Sequence, residues 1–157
     1  MGLIRLNNQS LTDITSAGLP SGTVIQTVTN STEGYITGQT NTSLADVTNF
    51  SVSTTPRSTS SKILVVASMY VSNALVSGAN VNLHVALFRD STQLSLAVNS
   101  AQSGSGGLQI RDSAAFSFLD SPATTSATTY KIQAKTNNSS SAYTVDEGRI
   151  IAMEIAG

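Results

Sequence analysis

From residue 23 onward, apolar and polar residues alternate with a period of two. That period puts one set of side chains on a buried face and the other on a wet face of a strand. Eight segments carry it. Thr23–Thr29 holds Val24 and Val28, and Leu44–Thr55 alternates through Phe50 and Val52 before stopping at Pro56. Lys62–Ser72 is the most hydrophobic run and predicts a central strand. Asn80–Arg89 alternates most cleanly, with Val81, Leu83, Val85 and Leu87 facing one way and Asn82, His84, Ala86 and Phe88 the other. Gln93–Val98 places Leu94 and Leu96 on one face, and Ser113–Leu119 sets Phe116 and Phe118 apart from Ala115 and Ser117. Thr129–Ala134 carries Tyr130, Ile132 and Ala134, and Arg149–Ile155 carries Ile151, Met153 and Ile155. Ser/Thr/Asn/Gly-rich turns separate the runs, and the Asp90-Ser-Thr connection has hairpin length. No segment shows the helical period. Short, numerous strands without intervening helices predict an all-β fold, an antiparallel β-sandwich. Eight strands make it jelly-roll-like.

The first 22 residues read differently. Leu3, Ile4, Leu6, Leu11, Ile14 and Leu19 are too apolar for a solvated tail, yet their spacing fits neither a long helix nor a single strand. Two readings stand: an extended arm that docks on a partner, or a flap over the domain's own core. The turn cluster Gly18-Leu-Pro-Ser-Gly22 closes the segment, so residues 1–22 divide from a sandwich domain at 23–157. Arg5 adds a guanidinium suited to two-pronged bonding of a partner's carboxylate. The partner-binding residues expected of such an arm are Leu3, Ile4, Arg5, Leu6, Leu11, Ile14 and Leu19. Polar Asn7, Asn8 and Gln9 cut short any secretory apolar region at this end.

Composition narrows the function classes. Ser and Thr fill 45 of 157 positions, and charged residues only 11%, against about 25% in an average soluble domain. The net charge of -1 offers no basic patch for nucleic acid, and no run is long enough to span a membrane as a helix. Wet faces rich in Ser, Thr, Asn and Ala, without the usual Lys and Glu, suit close contact between symmetric neighbours. A homo-oligomer is expected, with a trimer favoured because jelly rolls often gather around a threefold axis.

The inventory for chemistry is thin. There is no cysteine and one histidine, His84, so neither a metal site nor a base-dependent hydrolase finds its companions. Ser103-Gly-Ser-Gly-Gly107 resembles a phosphate loop only in its glycines, since no Lys-Ser/Thr follows. Asp146 and Glu147 are adjacent, which on a strand points them to opposite faces. No enzyme activity and no cofactor are expected. Among the aromatics, Phe50, Phe116, Phe118 and Tyr130 are assigned to the core. Tyr35, in a loop over Glu33–Gly38, and Tyr143 are the surface candidates for a sugar platform. Asn8, Asn30, Asn41, Asn137 and Asn138 open Asn-x-Ser/Thr triplets that so Ser/Thr-rich a chain generates by composition alone.

Several stretches resemble small virion proteins of tailed bacteriophages, those of marine and cyanobacterial hosts in particular. They are Leu3-Ile-Arg-Leu-Asn-Asn-Gln-Ser10, Ala17-Gly-Leu-Pro-Ser-Gly-Thr-Val24, Ser58-Thr-Ser-Ser-Lys-Ile-Leu-Val65, Asp120-Ser-Pro-Ala-Thr-Thr-Ser-Ala-Thr-Thr-Tyr-Lys-Ile-Gln133 and Met153-Glu-Ile-Ala-Gly157. The resemblance implies a capsid decoration (cement) protein or a fibre-type domain: a β-sandwich, a homotrimer, no catalytic residues. A decoration protein would bind the major capsid protein on the exterior of the virion. A tail- or head-fibre module would instead bind a host surface receptor.

Overall fold

The computed structural model describes residues 19–30, 34–74, 79–102 and 109–157. These form nine strands: β1 (Val24–Thr29), β2 (Gly34–Gln39), β3 (Ala45–Thr54), β4 (Lys62–Ala74), β5 (Asn80–Arg89), β6 (Thr92–Gln102), β7 (Gln109–Asp120), β8 (Thr128–Thr136) and β9 (Tyr143–Ile155). All pairings are antiparallel. One sheet runs β1-β9-β4-β7, with β2 also on β9, and the other runs β3-β8-β5-β6. β1 pairs with residues 151–155 of β9 and β2 with residues 143–148, so the two act as a single interrupted edge strand. Counted that way there are eight strand positions. Every connection from β2 to β9 crosses between sheets, except the β5–β6 hairpin. This is the strand arrangement of a jelly roll.

The strands form where alternation predicts them, with one addition. The segment read as a loop over Glu33–Gly38 is β2. Its glycines, Gly34 and Gly38, break the apolar pattern and leave Ile36 as its one packed aliphatic. Asp90 turns the β5–β6 hairpin at φ 51°, a left-handed conformation that Asp tolerates.

Between the sheets lies a dry core built on Phe50, Ile63, Val65, Leu83, Leu87, Tyr130, Ile132, Tyr143 and Ile150. Phe116 is buried and Phe118 packs against the cluster half-buried. Tyr143, expected at the surface, is only 1% exposed. β9 begins there, six residues earlier than its apolar pattern suggests, and the phenol donates to Asn41 Oδ1 at 2.7 Å and to the Ala134 carbonyl at 3.1 Å.

Polar side chains close the seams. At the point where β1 and β2 part, Asn30 substitutes for missing backbone. Its Oδ1 accepts from Ile150 N at 2.8 Å, and its Nδ2 donates to the Gly148 carbonyl at 3.2 Å. A buried amide so engaged is no glycan acceptor. At one end of the sandwich, the last inward row of the first sheet reads Gln26, Glu154, Ile63, Asp120 across β1, β9, β4 and β7. Glu154 accepts from Gln26 Nε2 at 2.5 Å and from Arg57 N at 2.6 Å, tying down the β3–β4 connection. Asp120 reaches the opposite sheet. Arg89 Nη1 donates to both its oxygens at 2.9 Å, and Tyr130 donates to Oδ2 at 2.7 Å. Burial first, then the bond to Asp120, holds the Tyr130 phenol far above its ordinary pKa. Burial also raises that of Tyr143, against a smaller opposing effect of Asn41.

Gly148 lies against the face of Phe50, and a Cβ there would overlap the ring. Gly148→Ala is therefore expected to cost about 1–3 kcal/mol by overpacking, read as a lower urea midpoint. The tyrosines set an alkaline limit. The fold keeps two phenolic protons that the unfolded chain releases above about pH 10. Stability is full below that pH and falls as pH rises beyond it. Tyr130→Phe should cost about 1 kcal/mol at neutral pH and flatten the alkaline fall. Phenolate absorbance from Tyr130 and Tyr143 should appear only as the protein unfolds.

Candidate association surfaces

The sheets' outward faces differ, and neither is the uniform Ser/Thr/Asn surface expected. On the β3-β8-β5-β6 sheet, Lys131, Gln133 and Lys135 of β8 point outward between Ser51 and Ser53 of β3 and Asn82 and His84 of β5. Lys131 Nζ pairs with Asp46 at 2.9 Å. Partial burial pushes the Asp46 carboxyl up, but hydrogen bonds from Gln133 and Lys131 and the lysine's charge outweigh it, so its pKa lies below the usual value. His84 sits between Lys135 and Val98 in the register. Desolvation, then the Lys135 charge, lowers its pKa, leaving it neutral at pH 7. Ala86 and Phe88, expected on the wet face, are buried. Leu96 and Val98 make a small apolar corner on edge strand β6.

The outward face of the β1-β9-β4-β7 sheet is apolar over half its length. Its first row reads Val24, Ile155, Lys62; its second Thr27, Met153, Leu64, Leu119; its third Thr29, Ile151, Val66, Ser117. Val24 is 52% and Leu119 50% exposed; Ile151, Met153, Ile155, Leu64 and Val66 are half-buried, and Lys62, Thr27, Thr29 and Ser117 are exposed. Arg149, Ser68 and Ala115 follow, then Asp146, Tyr70 and Ser113, where the face turns polar. The set Ile151, Met153, Ile155, whose alternation marks β9, is thus the outward set. Ile150, Ala152 and Glu154 face the core. A bulge near Glu147, at φ 51°, resets the parity upstream.

Where the two sheets' edges meet at β1 and β3, a groove of about 320 Å³ opens, lined by Val28, Thr29, Asn30, Asn49, Ser51, Val52 and Ser53. A second hollow of about 350 Å³ continues from Asn49 and Ser51 to Asp46, Thr129 and Lys131. The polar lining of the groove is hydroxyl and amide, set beside Val28 and Val52, and the second hollow adds the Asp46–Lys131 pair. Tyr35, the other aromatic singled out for sugars, is 49% exposed on β2.

Of the residues expected in the arm, Leu3, Ile4, Arg5, Leu6, Leu11 and Ile14 lie outside the described residues, as does Ser103–Gly107. Leu19 is described and half-buried. The arm's end is fixed: Gly22 N donates to the Ala156 carbonyl and Ala156 N to the Thr23 carbonyl, both at 2.8 Å. Gly22 and Thr23 therefore sit at the corner that carries Val24 and Ile155.

Among the described residues no three His, Asp or Glu side chains converge on a metal site. The buried carboxylates, Asp120 and Glu154, are bonded within the fold. No helix among these residues is long and apolar enough to cross a membrane.

No protein-family model matches the chain, and no curated protein matches it. Solved structures resemble it at low identity. The structure of infectious bursal disease virus Gx strain is 14% identical at a TM-score of 0.48, over 84% of this chain and 33% of that one. The VP2 subviral particle of infectious bursal disease virus is 16% identical at 0.44, over 84% and 32%. Dimeric latent PorU from Porphyromonas gingivalis is 13% identical at 0.40, over 90% and 14%. This chain spans about a third or less of the length of the chains it matches. The jelly-roll assignment rests on strand order and pairing, not on these likenesses.

Proposed function

We propose that this chain is a virion structural protein of a tailed bacteriophage. In this reading it is a homotrimeric decoration (cement) protein on the exterior of the head. It grips the major capsid protein through residues 1–22 and stabilises the shell without catalysis or cofactor. The observation that carries the reading is the apolar outward face of the β1-β9-β4-β7 sheet. Among the described residues nothing covers this face, and an uncovered apolar face is suited to assembly. The phage assignment itself leans on the sequence resemblance, and the jelly-roll strand order agrees with it.

The arm contributes through number. At about 25 cal/mol per Å² of apolar burial, even a few hundred Å² per arm becomes large when repeated over a shell. Because Gly22 and Thr23 are zipped to Ala156, the informative truncation removes residues 1–18. The truncated protein should fold with an unchanged urea midpoint and lose saturation binding to heads lacking it. Saturation equal to that of the intact chain would sink the arm's role. Counting copies against the major shell subunit tests the rest: decoration requires hundreds per particle.

One observation favours a second reading, a fibre module that binds a host receptor. The hydroxyl- and amide-lined groove between β1 and β3 has the chemistry to hydrogen-bond a glycan. That reading expects a small multiple of six or twelve copies per particle and binding of the purified protein to host cells. Ser51→Trp, which fills the groove, should abolish that binding.

A further inference from the structure

We propose that the outward face of the β1-β9-β4-β7 sheet is where copies of this chain meet one another. The inference rests on the self-assembly contained in the function proposed above and assigns it to one surface.

The occupant follows from the shape and chemistry of the face. It is a pleated surface rather than a pocket, so it fits another surface and not a small molecule. Three successive rows of side chains, spaced about 6.8 Å, on four strands about 4.8 Å apart cover roughly 400 Å². Lys62, Thr27, Thr29 and Ser117 interrupt the apolar side chains within it, and its area is about half of what each partner contributes to a standard interface. The polar rows beyond Arg149 extend the same pleated surface and supply a rim.

Association between copies sets a surface against its own kind or against an adjoining part of itself. Charge of one sign at the centre would then be brought against like charge. Here the second and third rows, from Thr27 to Leu119 and from Thr29 to Ser117, hold no charged side chain. Lys62 stands in the first row, with Arg149 just past the third, so the positive groups lie at the borders. The opposite sheet is the contrast. Its outward face centres on Lys131, Lys135 and the Asp46 ion pair, which keep water and disfavour close packing. One face of this sandwich is built for solvent and the other for a dry partner.

The test is the oligomeric state of the full chain by sedimentation velocity over a concentration series. Met153→Glu and Leu119→Glu each place a carboxylate on the outward face without entering the core. Both should keep the β-type circular dichroism and weaken association by at least tenfold. A wild type that stays monomeric at the highest concentration overturns the proposal, as does a Glu variant that associates like the wild type. So does dissociation on removing residues 1–18 when Met153→Glu has no effect, because the arm is then the occupant.

A second measurement needs no disruptive variant. The chain lacks cysteine, so a single thiol at Leu119→Cys can be compared with one at Ser53→Cys on the other sheet. Maleimide should label Leu119→Cys at least tenfold more slowly than Ser53→Cys in the oligomer and at a similar rate on dilution to monomer. Equal rates in the oligomer overturn the assignment. The two proposals fail separately. A monomer that saturates heads sinks the interface and leaves decoration standing. An oligomer broken by Met153→Glu that never binds heads does the reverse.

Discussion

A strand has two faces, and a two-layered sandwich covers only one face of each sheet. The rest of this structure depends on that constraint. The inward faces meet in a continuous dry core, and its burial is the main term that opposes the chain's conformational entropy. What remains is the pair of outward faces, and the chain settles them differently. On the β3-β8-β5-β6 sheet, lysines alternate with the core residues Tyr130, Ile132 and Ala134 of β8. On the β1-β9-β4-β7 sheet, β4 is apolar on both sides from Ile63 to Ala67. Strands that read as near-continuous apolar runs normally belong to sheets covered on both faces. Among the described residues no second layer covers that side.

The ends of the sandwich explain why so polar a chain can hold such a core. Glu154 and Asp120 share one inward row, and each would be costly to bury alone. Each is matched by donors from outside its own sheet. Arg57 N comes from a connection, and Arg89 and Tyr130 from the facing sheet. These carboxylates therefore act as fasteners between layers and loops. At the opposite end, Tyr143 meets Asn41, and Ser141 bonds Asn73 and the Ala74 carbonyl.

Much of the fold was legible from alternation. All eight expected strands exist, the most hydrophobic run is a central strand, and Phe50, Phe116 and Tyr130 lie where a period of two puts them. Three features were not legible, each for a physical reason. β2 carries glycines at Gly34 and Gly38, so its pairing with β9 comes from backbone hydrogen bonds rather than an apolar pattern. Tyr143 opens β9 in a polar stretch, and the bulge at Glu147 shifts the parity between it and the later residues. The third feature is the orientation of β9. Ile151, Met153 and Ile155 look like the buried set by hydropathy, and only tertiary packing shows that Ile150, Ala152 and a bonded Glu154 occupy the core instead. Alternation reports that a strand has two unlike faces. It does not report which one points inward, and the candidate association surface comes from that ambiguity.

Under the proposed function, the position of Gly22 and Thr23 at the same corner as the apolar face has a consequence for assembly. Gly22 and Thr23 hold the exit of the N-terminal segment beside Ala156, next to Val24 and Ile155. If copies pack through that face, each arm leaves from the rim of a shared interface. Arms from neighbouring copies then emerge close together rather than at scattered points. Close spacing raises the effective concentration of one arm once another has docked, so modest arms combine into firm attachment only if their sites on the shell lie within reach. The same packing leaves the β3-β8-β5-β6 face outward, with its lysines hydrated and the β1–β3 groove at its border. Decoration requires little of that face beyond solubility, whereas receptor binding requires the groove to recognise something. The two readings thus share one interface and differ in what they ask of the opposite sheet.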